Sequence, residues 1–324
     1  MSALADAFAR LGRSTREIHG ISATLLPFTP DGAIDLAAFG SHVERTRAAG
    51  LDVALNMDTG FGDLLTPDDR AAVLDATRDV LGPDGRFYAA AIADPTAGDP
   101  VPSYQTAIAQ ITARGGVPVL VQCTTMHGLD PVETAAVYAR IVSGCDEAVA
   151  FELGPVFAAH GEIWDDETFR RILDIGAIVG SKHSSLDRAI ELRRLVERDG
   201  RRPEFRVYTG NDLAIDMVAY GSDYLLGLST FAPEAFAARD RAFSDGSLEF
   251  LAWNDALQHL GNVAFRAPVP AYKHSAAVYL HLTGGLAHET IHPLAPRRDD
   301  PAADRALLTD CARRLARLGP SPHP

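Results

Sequence analysis

From Ile21 onward the chain alternates between two textures. Short apolar runs recur at ISATLLPF (21–28), LDVALNM (51–57), RFYAAAIA (86–93), VPVLVQC (117–123), EAVAFEL (147–153), AIVGSK (177–182), FRVYTG (205–210) and DYLLGLS (223–229). Each is continuous rather than alternating, as expected of strands buried on both faces. Longer amphipathic stretches lie between them and carry helix signals. Asp35 is placed to cap a helix with Leu36, Phe39 and Val43 on one face, and Thr66-Pro67 and Asp130-Pro131 pair an N-cap with proline at the first helical position. Ser185 is expected to open a helix over 186–198, and Gly50, Gly115, Gly144, Gly176 and Gly221 to close helices just before strands.

Strict alternation of strand and helix predicts parallel strands joined by right-handed crossovers. Eight such units predict an α/β protein with a closed (β/α)8 TIM barrel. A doubly wound open sheet is the competitor, but it carries a Gly-rich phosphate loop after its first strand, and the segment after Phe28 has none. After Pro233 the strand texture stops. Helical patterns follow at 233–245, 247–265, 271–283 and 301–318, and the closing GPSPHP is expected to fray. The expected organisation is an N-terminal extension (1–20), a barrel (21–233) and a C-terminal α-helical region (234–324).

Of 324 residues, 47% are hydrophobic and 23% charged, which excludes disorder and fibrous repeats. The formal charge of −13 opposes binding to nucleic acid or to anionic lipid. No apolar run reaches the length of a membrane span, and the first twenty residues hold no signal-type apolar core. Three cysteines without CxxC spacing fit a reducing compartment. A cytoplasmic location is the expectation.

In a barrel of this kind the chemistry sits at the C-terminal ends of the strands. Lys182 stands out there. The chain is basic almost wholly through arginine, yet a lysine follows the buried run AIVGS. A desolvated lysine can be neutral near pH 7 and attack a carbonyl, whereas arginine cannot lose its proton. A strand-end salt bridge is the plainer alternative. Asp58 and Thr59, in the turn DTGFGD, and Glu152, at the end of strand 5, are further candidates. Their plainer roles are a turn cap, a loop hydroxyl and an ion pair with an arginine. His183 follows Lys182 and so points to the other face of its strand, as a packing histidine. His288 and His292 have the spacing of helical metal ligands, but Gly285 and Pro293 flank them; no metal is expected.

These residues resemble a known family. GISATLLPFTPDGAIDLAAF is similar to the first strand and Asp-led helix of the dihydrodipicolinate synthase / N-acetylneuraminate lyase family. TGFGDLLTPDDR falls at that family's Thr-Thr-Gly-Glu turn. GSKHSSLD resembles its Lys-Asp-Ser-Ser segment, and YTGNDLAIDMVAYGSDYLLGLSTFAPE its Gly-Asp-Asp segment and eighth strand. The resemblance runs from about Gly20 to Pro293. It implies a class I aldolase or lyase in which Lys182 forms a Schiff base with a 2-oxo acid, with no cofactor, in a homo-oligomer (a dimer or tetramer). It also implies substrate contacts at Gly60, Phe151, Met126, Gly210 and Leu226.

The departures from the pattern are chemical. Asp58 replaces the first hydroxyl of the family turn, and Phe61 replaces its acid. Phe151 stands at the strand-5 tyrosine, and Thr125-Met126 at the Tyr-Tyr pair that supplies a relay tyrosine to the neighbouring subunit. The segment GPVFAAHG lacks the arginine that holds a dicarboxylate in the synthases. The expected activity is therefore a Schiff-base aldolase, or a related hydratase or dehydratase, acting on a small carbonyl compound and not a true dihydrodipicolinate synthase. The alternatives are a family member that binds an oxo acid without turnover or serves as a structural partner, and a metal-dependent aldolase or hydrolase, which would need a ligand cluster the sequence does not supply. A phenyl ring cannot transfer a proton, so Asp58 or Glu152 is expected to replace the missing tyrosine.

Overall fold

The computed structural model describes every residue except 1–2, 12–15, 94–97, 159 and 320–324, so the expected fraying of the C-terminal tail lies outside the described residues. Eight parallel strands close into a barrel in chain order: β1 (Gly20–Ala23), β2 (Asp52–Leu55), β3 (Phe87–Ala91), β4 (Gly116–Leu120), β5 (Ala148–Glu152), β6 (Ile178–His183), β7 (Arg206–Thr209) and β8 (Asp223–Leu226). All eight fall within the apolar runs or extend at most one residue beyond either end. Successive side chains go to opposite faces. Ala23, Ala54, Val119, Val149, Tyr208 and Leu225 fill the barrel interior. Their strand neighbours pack outward under the helices. Burial on both faces explains why the runs are continuous.

Helix α1 (Ala3–Leu11) precedes the barrel. The outer ring is α2 (Leu36–Ala49), α3 (Pro67–Leu81), α4 (Val101–Thr112), α5 (Pro131–Ile141), α6 (Asp166–Leu173), α7 (Arg188–Arg201) and α8 (Pro233–Ser244). The cap signals act as read. Asp35 accepts the Ala38 N–H, and Thr66 and Asp130 each form a capping box, with Asp69 and Glu133. Ser185 does not open its helix. Asp187 caps α7, and Ser185 instead accepts the Asp187 N–H in the turn before it, because its hydroxyl is held by His183. Gly50 caps α2 as expected, but Gly115, Gly144 and Gly176 are not helix stops: α4, α5 and α6 end at Thr112, Ile141 and Leu173 with Ala113, Val142 and Asp174 as their caps.

The seventh crossover holds only a 3-10 turn, Ile215–Tyr220, in place of a helix. Helix α1 packs against that turn and against α7. Helix α8 lies against α2 and β1 and closes the ring. Three further helices follow: α9 (Glu249–Ala264), α10 (Tyr272–Leu282) and α11 (Pro301–Ala316). They pack on one another, and α9 also meets α8 and the Leu228–Thr230 turn after β8. That contact brings the C-terminal helices to the C-terminal end of the barrel strands. Among the described residues no helix is long and apolar enough to cross a membrane.

Candidate functional site

Lys182 is the penultimate residue of β6, paired with Phe151 on β5 and Tyr208 on β7. It points into the barrel. Its amine lies 4.5 Å from the centre of the Phe151 ring, and among the described residues no hydrogen bond or ion pair holds it. Burial pulls its pKa below the ordinary lysine value, opposed by the charges of Asp212 and Asp58. Room for the side chain comes from Gly210 at the end of β7, where a Cβ would stand 2.8 Å from Lys182 Cε.

Lys182 opens into a cavity of ≈ 650 Å³ at the C-terminal mouth of the barrel. Asp58, Thr59, Phe151 and Gly210 line the same cavity. The four remaining expected residues do not. Glu152 is the strand neighbour of Phe151 and therefore faces the opposite way. It is fully buried behind the barrel, bonded to His183 Nδ1 (3.1 Å) and to the Arg194 guanidinium (3.0 Å). Burial alone would raise its pKa, but His183 and Arg194 outweigh burial and hold it below the usual carboxylate range. Glu152 is thus half of an ion pair and cannot supply protons to Lys182. Leu226 faces outward for the same reason of parity, and Gly227 lines the cavity instead. Met126 packs in the outer core, where the Tyr104 hydroxyl donates to its sulfur (3.4 Å). Gly60 closes its turn without reaching the cavity. His183 is the packing histidine expected, held by Glu152 and Ser185. The ring of His292 stacks on Phe61 and meets Phe28 edge-on.

The turn after β2 gives Asp58 and Thr59 their positions. Residues 58–60 form one 3-10 turn, followed by Phe61 in the left-handed region. The chain then folds back so closely that a Cβ on Gly62 would lie 1.8 Å from the Asn56 carbonyl oxygen. Only glycine fits there. Phe61 is fully buried against Phe28.

Three cavity or rim residues were not singled out by sequence reasoning. Asp212, two residues past Gly210, is buried with its carboxyl accepting the Leu228 N–H at 2.7 Å. Burial raises its pKa to about 7, with Lys182 pulling the other way. The second and third come from α10. The Tyr272 hydroxyl donates to Asp58 (2.8 Å) and lies 2.9 Å from the Thr59 hydroxyl. Lys273 donates to the other Asp58 oxygen at 2.6 Å. Asp212 stood inside the quoted GNDLAID segment, so the end of β7 was its signal. Tyr272 and Lys273 follow the short segment Pro268-Val269-Pro270 and carry no local pattern that marks a site.

The paired shifts of Lys182 and Asp212 give a pH expectation. A neutral amine is the reactive form, so imine formation should rise with pH and level off below the ordinary lysine pKa. Asp212 becomes anionic above about pH 7 and then favours protonated Lys182. Asp212→Asn removes that charge while an amide oxygen can still accept the Leu228 N–H. It should move the whole profile to lower pH. Cyanoborohydride trapping rates across pH 5–10 would measure this, and a profile moved upward would contradict the arrangement.

No family model matches the chain, and no curated protein matches it. Solved structures do. It is similar to a monomeric dihydrodipicolinate synthase variant at 19% identity over 93% of this chain and 98% of that chain, with a TM-score of 0.79. The dihydrodipicolinate synthase of Thermotoga maritima matches at 18% identity over 93% and 99%, with a TM-score of 0.78. YagE of E. coli K12, a prophage protein of the dihydrodipicolinic acid synthase family solved in complex with pyruvate, matches at 16% identity over 92% and 98%, with a TM-score of 0.80. At such identities the likeness is one of architecture: this chain has the fold of the dihydrodipicolinate synthase structures, barrel and C-terminal helices together.

Proposed function

We propose that the protein is a class I aldolase or lyase of the dihydrodipicolinate synthase family, which forms an imine between Lys182 and a small carbonyl substrate. One observation carries the reading. A largely buried lysine with no hydrogen bond or ion pair among the described residues stands at the C-terminal end of a barrel strand and faces a cavity. A lysine kept only for structure would be paired, since burying an unpaired ammonium is costly. Here burial shifts the balance towards the neutral amine, which is the nucleophilic form. The fold adds weight, because an architectural relative is solved in complex with pyruvate.

Asp212 beside Lys182 is a counter-charge for the iminium, which stays cationic where the free amine does not. Phe151 stacks against the amine and excludes water from the imine. Thr59 presents a hydroxyl to the same cavity. The substrate is a 2-oxo acid or related carbonyl compound, the setting is the cytoplasm, and the working form is a homo-oligomer. The test is reductive trapping with a panel of oxo acids and aldehydes, read by intact mass. A mass increase for at least one carbonyl is expected; none across the panel would reject the imine.

Dihydrodipicolinate synthesis is not the proposed reaction. The Gly154–Gly161 segment offers no arginine for a dicarboxylate, and Phe151 cannot relay protons. Condensation of pyruvate with aspartate semialdehyde should stay at background in a coupled assay. Robust turnover would show that other groups replace the missing arginine and tyrosines.

A further inference from the structure

The chain contains two lysines, Lys182 and Lys273. They reach the barrel mouth from distant parts of the chain, one on a strand and one on a C-terminal helix. Lys273 is buried, with its ammonium on Asp58 and 5.6 Å from the centre of the Phe61 ring. The adjacent Tyr272 uses the second Asp58 oxygen. Its one proton is spent on that bond, so in the 2.9 Å contact with Thr59 the threonine hydroxyl is the donor. The Tyr272 ring is stacked on Phe265 with centroids 4.3 Å apart, which fixes where the phenol points. Tyr272 lines the cavity that holds Lys182, while Asp58 is about half exposed and reaches solvent. The result is a continuous polar path from the cavity through Tyr272 to Asp58.

We propose that Tyr272, carried in by helix α10, is the proton-transfer residue of the Lys182 site, with Asp58 as the carboxylate that takes its proton and Lys273 as the cation that orients Asp58. The assignment rests on the Schiff-base reading above. It also answers the chemical gap at Phe151: the phenol missing from strand 5 is supplied from the C-terminal region of the same chain. A buried phenol beside a carboxylate resists ionisation. Tyr272 therefore works by accepting one proton while passing its own to Asp58.

The steps balance. Protonated Lys182 gives one proton through Tyr272 to Asp58 and becomes the free amine. Nitrogen adds to the substrate carbonyl, forming the C–N bond, and a second nitrogen proton moves to the carbonyl oxygen. The C–O bond then breaks. The hydroxyl leaves as water with the proton stored on Asp58, and the nitrogen lone pair closes the iminium. Finally the carbon beside the iminium loses a proton through Tyr272 to Asp58, and its electrons form the enamine. Three protons are released, two from Lys182 and one from the substrate carbon. Two leave in the water, and the third remains on Asp58 for the oxygen of an acceptor aldehyde.

Pyruvate and 2-oxobutanoate, as probes in D2O, separate imine formation from proton transfer. NMR follows deuterium entering the carbon beside the carbonyl, and cyanoborohydride trapping follows the imine. In Tyr272→Phe the ring stack survives and only the hydroxyl is lost. Exchange should fall by at least about 10²-fold, the low end for a positioned acid or base, while trapping still reaches the wild-type extent. Asp58→Asn should give the same split, which keeps the test open if one variant fails to fold. Lys273→Arg should retain exchange that Lys273→Met loses, as expected of a positioning cation rather than a packing residue. Wild-type exchange in either Tyr272→Phe or Asp58→Asn would overturn the proposal and leave the imine standing. Failure of the wild type to trap either probe, or any carbonyl of the wider panel, would overturn both.

Discussion

Replacing Lys182 by alanine should abolish reductive trapping of every carbonyl ligand the wild type accepts. The expected loss is complete, because no other group in the cavity can form an imine. The chain makes the result easy to read. Lys182 and Lys273 are its only lysines, so a reduced adduct maps to one of two side-chain amines. Lys273 is a poor competitor, since its amine is engaged by Asp58 at 2.6 Å and it is not among the residues that line the cavity. The fold should survive. Lys182 has no hydrogen bond to lose among the described residues, and burial already lowers its pKa. A group with a depressed basic pKa binds fewer protons folded than unfolded, so it weakens the fold more as pH falls below its unfolded value. Removing it should therefore leave the melting temperature at pH 7 unchanged or raised. An adduct that persists at Lys273 would reassign the nucleophile, and a collapsed melt would mean that Lys182 is structural.

The second large effect is on stability and concerns Glu152. Arg194→Met should destabilise the protein by about 3–5 kcal/mol, the range for breaking one side of a buried ion pair. Both side chains are buried: Arg194 donates to Glu152 through two nitrogens, Nε and Nη2, and also to Asp166 and the Trp164 carbonyl, with its guanidinium 4.9 Å from the centre of the Phe169 ring. Methionine keeps much of the volume but leaves the carboxylate to His183 alone. The pH dependence has a definite sign. In the wild type the Glu152 pKa is depressed, so the pair stabilises above the unfolded carboxylate value and is lost only as pH falls below it. In the variant the pKa rises, and the stability deficit should be larger at pH 8 than at pH 5. Denaturant unfolding at the two pH values measures both. A deficit under about 1 kcal/mol, the range of exposed pairs, would mean that the barrel does not depend on this bond. Because Glu152 lies behind the wall of the cavity, a correctly folded Glu152 variant should still trap carbonyls.

The placement of Glu152 shows how far the sequence could be read. Strand parity was available from the chain alone, and it correctly turned His183 away from the site of Lys182. The same rule separates Phe151 from Glu152 and Leu225 from Leu226, so those pairs could not both face the mouth. The register bears this out: Phe151 pairs with Lys182 inside, and Glu152 with His183 outside. Met126 failed for a different reason. The segment after β4 makes a 3-10 turn at Thr124–Met126, which folds the methionine back under Tyr104.

What the sequence determined by itself is everything local or periodic. Apolar runs of strand length, spaced by capped helices, dictate eight parallel strands, because each run must bury both faces and each crossover must return to the same end. Closure then places every strand's C-terminal residue at one mouth, and Lys182 with Asp58 and Thr59 follows without a coordinate. The tertiary structure alone decided what else reaches that mouth. Tyr272 and Lys273 lie 214 and 215 residues from Asp58, and nothing in their own helix marks them as functional. They arrive because α9 packs against the turn after β8 and carries α10 over the rim. Such a contact depends on the packing of two surfaces. Periodicity along a chain says which face of a helix is buried, but not which distant turn it is buried against.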